Sequence, residues 1–224
     1  MAQEKIILGI IPARGGSKRI PKKNIKKLGN KPLIAWTIDA ADKSRLLDDV
    51  IVSTDNQEIQ EIAERFGIRV IERPKILATD WAKTIDVILD VLRREGADIV
   101  VCLQPTSPFR LAADIDNAIN LFLHRKCDSV ISVCESKREH CWFLRERKEY
   151  IVPIFGHKYL GMRSQRLPRL YIPNGAIYVA SAETLRKYKT FYTDKILPYI
   201  MPVERSIDID DFDDFVIAEA MIKK

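Results

Sequence analysis

Residues 7–24 read ILGIIPARGGSKRIPKKN: an apolar run that ends at Pro12, then a glycine pair in a loop carrying Arg14, Lys18, Arg19, Lys22 and Lys23 with no acid among them. The run over 6–11 is rich in β-branched residues and interrupted only by Gly9, as expected of a strand buried on both faces. Five cations so close together repel one another, so the loop is built to meet something negative. Gly15 and Gly16 let the backbone approach closely and turn amide groups toward an anion. A nucleoside triphosphate, with about four negative charges, is the natural guest. The pattern is neither G-x-x-x-x-G-K-[ST] nor G-x-G-x-x-G, so the P-loop hydrolase and dinucleotide readings lose their support. A solvated basic loop is the plain alternative; two glycines at the end of a leading strand weigh against it.

Working outward, Pro32 suits a first helical turn, followed by the apolar stripe Leu33, Ile34, Ile38 and Ala41. A strand is expected at 50–53. Next comes a helix capped by Asp55 or Asn56, with Ile59, Ile62, Ala63 and Phe66 at helical spacing before Gly67. Strands are read at 68–72, 98–103, 129–134 and 175–180. Helices are read from Thr79 or Asp80 through Arg94 and from Asp114 onward. Short alternating units of this kind call for an α/β fold, a mostly parallel sheet with helices on both faces, with ligands at the carboxyl ends of the strands. The rhythm breaks over 136–173, a basic, aromatic, proline-interrupted insertion. The chain closes with a strand at 205–209 and a helix carrying Phe212, Phe215, Ala218 and Ile222.

The 224 residues suit one sizeable domain, and 46% hydrophobic with 30% charged residues is an ordinary globular balance. Net charge is +6, which invites a nucleic-acid reading. Its distribution opposes that: 136–173 holds nine Lys/Arg against three Glu, so the other 28 cations and 28 anions cancel. Cys102, Cys127, Cys134 and Cys141 form no C-x-x-C pair, so reduced thiols are expected. The run over 6–11 is too short to span a membrane and lacks a signal-peptide cleavage pattern. A cytoplasmic protein with no nucleic-acid or membrane partner is therefore expected.

Five blocks in order, IIPARGGSKRIPKKN at 10–24, VSTD at 52–55, LQPTSPFR at 103–110, NGAIY at 174–178 and SIDID at 206–210, resemble the signature blocks of the acylneuraminate cytidylyltransferases, also called CMP-sialic acid synthetases. The resemblance covers nearly the whole chain. It implies a Rossmann-like nucleotidyltransferase fold and a reaction in which a nine-carbon 2-keto sugar acid, sialic acid or a relative such as legionaminic acid, is activated with CTP. It also implies Mg²⁺ as cofactor and a homodimer joined through 136–173. By the same resemblance Arg14, Gly15, Gly16, Ser17, Lys18, Lys23, Asn24, Ala78 and Thr79 bind the nucleotide, with Lys23 on the phosphates. Gln104 and Asn174 bind the sugar acid; where a familiar family form has Arg-Pro-Asn-Gly this chain has Ile172 before Pro173, and Arg163, Arg166 or Arg169 is expected to stand in for the missing cation. In LATDWAKT, Trp81 and Lys83 replace the small residues common in the family.

Asp208 and Asp210 are two apart, so in an extended segment they project to one face while Ile207 and Ile209 take the other. Two adjacent carboxylates repel unless a cation lies between them, and hard oxygen ligands suit Mg²⁺. The resemblance assigns the metal to this pair, making Lys23, Asp208 and Asp210 the catalytic set. Capping of the last helix is the plain reading for the neighbouring acids. The competing functions are another sugar nucleotidyltransferase, of CMP-Kdo synthetase or sugar-1-phosphate type, and a non-enzymatic binder of nucleotide or RNA.

Overall fold

In the computed structural model, which describes residues 5–223, alternate side chains of the leading strand β1 (Ile7–Pro12) enter different cores: Ile7 and Ile11 lie on one face, Leu8 and Ile10 on the other. A strand buried on both faces must be apolar throughout, which is why the run shows no alternation. The first core takes Ile34 and Ile38 of α1 (Leu33–Asp42), Ile59 and Ala63 of α2 (Gln57–Arg65), and Ile115 and Ile119 of a later helix, Ala112–His124. The second takes Ile88 and Val91 of Thr84–Arg94 and Leu185 of Ala182–Tyr188.

Between β1 and α1 the basic loop contains a 3-10 turn, Lys23–Ile25, and a ribbon of β2 (Lys27–Leu28) and β3 (Lys31–Pro32). Pro32 ends that ribbon as the N-cap and does not enter the helix. After α1 come β4 (Asp49–Thr54), α2, β5 (Arg69–Glu72), α3 (Thr84–Arg94), β6 (Ile99–Cys102), α4 (Ala112–His124) and β7 (Ser129–Ser136). The insertion contributes a hairpin, β8 (Leu144–Arg147) and β9 (Tyr150–Pro153), between short 3-10 turns. β10 (Leu170–Ser181), α5 (Ala182–Tyr188), β11 (Ile196–Ile200) and α6 (Phe212–Ile222) complete the chain.

The seven-stranded sheet has the order β11-β7-β10-β6-β1-β4-β5. Only β10 runs against its neighbours, and the expected mostly parallel α/β sheet with helices on both faces is what forms. Among the described residues no helix is long and apolar enough to cross a membrane.

Several boundaries differ from the sequence reading. α3 starts at Thr84, because a 3-10 turn, Lys75–Leu77, precedes it and the Asp80 carboxylate is taken by Arg14 and Lys18. Asn56, not Asp55, caps α2, accepting from the Ile59 N–H at 3.0 Å, while Asp55 accepts from the Gly15 N–H at 2.9 Å. β10 begins at Leu170, earlier than the strand read at 175–180, with a bulge between Pro173 and Tyr178 at the Asn-Gly pair. β11 was not read at all, since Pro198 interrupts its run; it is an edge strand, where proline is tolerated. Residues 205–209 form no strand. The Ile209 N–H instead donates to the Thr106 carbonyl at 2.8 Å. Ile209 packs in a third core with Ile20 and Leu28 of the basic loop and Phe215 and Ala218 of α6, which ties the two ends of the chain together at the site.

Candidate active site

The carboxyl ends of β1 and β6, the loop after β5 and the segment before α6 enclose a cleft of about 400 Å³. Arg14, Gly16, Ser17, Lys23, Asn24, Thr79, Gln104, Asp208 and Asp210, all singled out in the sequence, line it together with Arg73, Asp80, Thr84 and Thr106. Loops at that end converge because parallel strands all deliver their connections there.

Each group is held by specific contacts. The Asn24 side-chain amide donates to the Arg14 carbonyl at 2.9 Å and fixes the loop against its own start. Lys23, whose side chain is 13% exposed, donates from Nζ to the Ile209 carbonyl at 2.7 Å and lies 3.9 Å from Asp210. Burial pushes its pKa down, and the charges of Asp210 and Asp208 offset part of that. Burial, in contrast, pushes the Asp208 carboxyl above the usual range, with a hydrogen bond from Thr106 opposing and the charge of Asp210 adding to it. Asp208 Oδ1 is buried with no hydrogen-bond partner among the described residues. Asp210 is 64% exposed. The capping role belongs to Asp211, which accepts from the N–H groups of Asp213 and Asp214 at 3.0 and 3.1 Å. Asp208 takes no part in it.

Arg73 was missed in the sequence, where it stands in no motif. It is buried on the cleft wall, and Nη2 donates to the Ser53 carbonyl at 2.7 Å. Burial lowers its pKa to about 10, which still leaves it a fixed cation at neutral pH.

Six expected ligands, Gly15, Lys18, Ala78, Arg163, Arg166 and Asn174, do not line this chain's own cleft. Asn174, read as a sugar ligand, is buried and does not line the cleft. Its Oδ1 accepts from Ser132 Oγ at 2.6 Å and from the Ala176 N–H at 3.2 Å, its Nδ2 donates to Ser206 Oγ at 2.9 Å, and its carbonyl accepts from Ser107 Oγ at 2.9 Å. The residue bolts together three segments that carry the site. Arg163 and Arg166 lie in the insertion, outside this chain's cleft. Gly15 is needed for a different reason from the one inferred: a Cβ there would sit 2.7 Å from Cβ of Asn56, so the loop presses on the start of α2.

Gly175 is the glycine that shapes the site. Its φ is +72°, and a Cβ would stand 2.9 Å from Ser107 Oγ and 3.0 Å from both Asp208 Oδ2 and Gln104 Oε1. Gly175→Ala is expected to lower Tm by roughly 2–8 °C, since left-handed geometry costs about 1–2 kcal/mol. Activity should fall with it, because Asp208 and Gln104 are displaced together. Circular dichroism melting with a rate assay checks both.

Beyond Gln104 and Thr84 the cleft continues into a pocket of about 240 Å³ walled by Cys102, Tyr178, Phe191 and Tyr192. The rings of Tyr178 and Phe191 stand 5.5 Å apart. Burial raises the Cys102 thiol to about 12, so it is an inert wall rather than a nucleophile.

A basic glycine loop faces two carboxylates across the strand ends of a mostly parallel sheet, with a second pocket alongside. The profile of the family described as Cytidylyltransferase matches residues 8–141. The chain belongs to that family. It is 39% identical over 211 residues to an N-acylneuraminate cytidylyltransferase of Streptococcus agalactiae serotype V, covering 92% of this chain and 51% of the relative. It is 35% identical to the CMP-N,N'-diacetyllegionaminic acid synthase of Legionella pneumophila, covering 97% of this chain and 96% of the relative. With the pseudaminic acid cytidylyltransferase of Campylobacter jejuni it shares 30% identity over 96% of both. The chain spans about half the length of the Streptococcus relative. In fold it resembles the CMP:2-keto-3-deoxy-manno-octonic acid synthetase complexed with CTP, with a TM-score of 0.76 at 17% identity over 97% of this chain and 98% of that one.

Proposed function

We propose that this chain activates a nine-carbon 2-keto sugar acid with CTP, giving the CMP-sugar and pyrophosphate. The observation that carries the reading is the pair of adjoining pockets. One is lined by loop cations opposite Asp208 and Asp210; the other is reached past Gln104 and has aromatic walls suited to the C–H faces and acyl groups of a modified sugar. The anomeric oxygen bonds to the α-phosphorus as the bond to the β-phosphate oxygen breaks; pyrophosphate leaves and the hydroxyl proton passes to water. Arg14 and Lys23 neutralise the phosphates, and Gln104, between the pockets, orients the sugar. Positioning and charge do most of such phosphoryl chemistry. Arg73, held by the Ser53 carbonyl, offers its remaining donors to the acceptor edge of the base.

The unsatisfied, buried Asp208 Oδ1 and the nearby Asp210 suit a hard cation, and these two would hold Mg²⁺. When bound, the ion supplies charge neutralisation and alignment at the triphosphate.

The second copy of the proposed homodimer meets the insertion, where Phe143, Tyr150, Ile151, Ile154, Phe155 and Ile172 are all exposed, more apolar surface than a monomer usually leaves to water. Arg163 and Arg166 then reach the acidic sugar in the partner's cleft. A reducing, cytoplasmic setting accords with four unpaired cysteines.

Pyrophosphate release with each of four ribonucleoside triphosphates against a panel of keto sugar acids tests the reaction: CTP with nine-carbon acids should stand out. Equal turnover of ATP, or none with any keto acid, would refute it. Sedimentation at micromolar concentration should give a dimer, and a fully active monomer would refute the assembly.

A further inference from the structure

Every cation of the basic loop that was expected to await an anion already has one. Arg14 Nη1 and Lys18 Nζ lie 2.8 and 2.6 Å from the two oxygens of Asp80; Arg19 and Lys23 lie 3.5 and 3.9 Å from Asp210; and Lys22 lies 2.6 Å from Glu58. Asp210 has a task in the proposed chemistry, and Glu58 does not line the cleft. Asp80 lines it and has no task there. Its two oxygens divide between two cations of the phosphate loop, as the oxygens of a phosphate would.

The segment that carries Asp80 is held lightly. It lies between the 3-10 turn Lys75–Leu77 and the start of α3 at Thr84, and at its tip Thr79, Asp80 and Trp81 are all exposed, Trp81 by 92%. The two ion pairs to Arg14 and Lys18 join it to the opposite lip of the cleft. Hydrogen bonds from Lys18 and then Arg14 also hold the Asp80 carboxyl below the usual range, so it stays charged at neutral pH.

We propose that Asp80 is a built-in competitor for the phosphate groups: its carboxylate pairs with Arg14 and Lys18 at the lip of the cleft, must be displaced when a triphosphate enters, and returns to help expel pyrophosphate. This rests on the reading of the cleft as a triphosphate site. Without Asp80 the loop cations would present unopposed charge, and product would be held longer. A like charge beside a bound anion is a device for setting affinity as well as specificity.

Calorimetric titration of inorganic pyrophosphate and of CTP, each with Mg²⁺, into the parent and into Asp80→Asn, Asp80→Ala and Asp80→Glu tests this. Asparagine and alanine should bind pyrophosphate about tenfold tighter, and pyrophosphate should inhibit their turnover at correspondingly lower concentration. Glutamate, which keeps the charge, should restore values near the parent's; a merely structural role would instead weaken pyrophosphate binding in the asparagine and alanine variants. Unchanged or weaker pyrophosphate binding in the asparagine and alanine variants overturns the proposal, making Asp80 a loop strut or a metal ligand. A parent that binds neither pyrophosphate nor CTP overturns the triphosphate reading itself, and the competitor with it.

Discussion

Asp208→Asn is expected to lower turnover roughly 10²-fold or more, the scale of a lost electrostatic stabiliser, while leaving the fold intact. Asp208 presents a buried oxygen with no partner to the cleft, so an amide there removes the charge and keeps the shape. Stability should move the other way. Burial raises the carboxyl's folded pKa, so its proton uptake favours the folded state below the unfolded pKa, and that contribution is lost as pH rises through the folded value. Above the folded value the protein carries the cost of an ionised, half-buried carboxylate, which asparagine relieves. Thermal unfolding should give the variant a Tm equal to or above the parent's. Mg²⁺ with CTP should raise the parent's Tm and not the variant's. Asp210→Asn should lose a similar factor in rate. Parent-like activity of either variant at limiting Mg²⁺ would remove the metal assignment.

Lys23→Ala should reduce kcat/KM for CTP by roughly 10²-fold. The side chain has two tasks that one truncation removes: a cation facing the proposed phosphate site, and the hydrogen bond to the Ile209 carbonyl that holds the segment between Asp208 and Asp210 against the loop. Lys23→Met keeps the packing and loses both polar contacts, so it should resemble alanine in rate while melting closer to the parent. A parent-like rate in either variant would reduce Lys23 to a surface cation. The prediction grows out of the tertiary contact as much as out of the loop sequence, since Ile209 lies at the other end of the chain.

Short-range regularities were legible because their causes are short-range. The continuous apolar run of β1 follows from burial on two faces, and the helical spacing of Ile59, Ile62 and Ala63 from packing one face of α2 on the sheet. Gly67, with φ of +72°, ends α2 as expected, because a left-handed residue there favours glycine whatever surrounds it. Asp208 and Asp210, read as a pair from their spacing, do line one cleft although their segment forms no sheet strand.

Residues set by long-range contact were misread or missed. Asn174 carries the same Asn-Gly signal as a turn, yet its polar atoms are consumed by Ser132, Ser206 and Ser107, and the pair forms a bulge beneath Asp208. Arg73 belongs to no pattern and becomes a cleft wall only because β5 pairs with β4 and places it over Ser53. The walls of the second pocket, Tyr178, Phe191 and Tyr192, read as ordinary aromatic residues until β10 lies beside β6.

Composition and local pattern were thus sufficient for the class of fold, the basic loop and the acidic pair, because burial periodicity, backbone freedom and charge crowding act between near neighbours. The partner of each charge was left to the folded chain. Five crowded cations predict an anion but not which one, and it took the meeting of the loops after β1 and β5 to bring Asp80 to Arg14 and Lys18 and the shared core of Ile20, Leu28 and Ile209 to bring Asp210 to Lys23. Electrostatic pairing depends on distances through space, and those exist only once the sheet has ordered its strands.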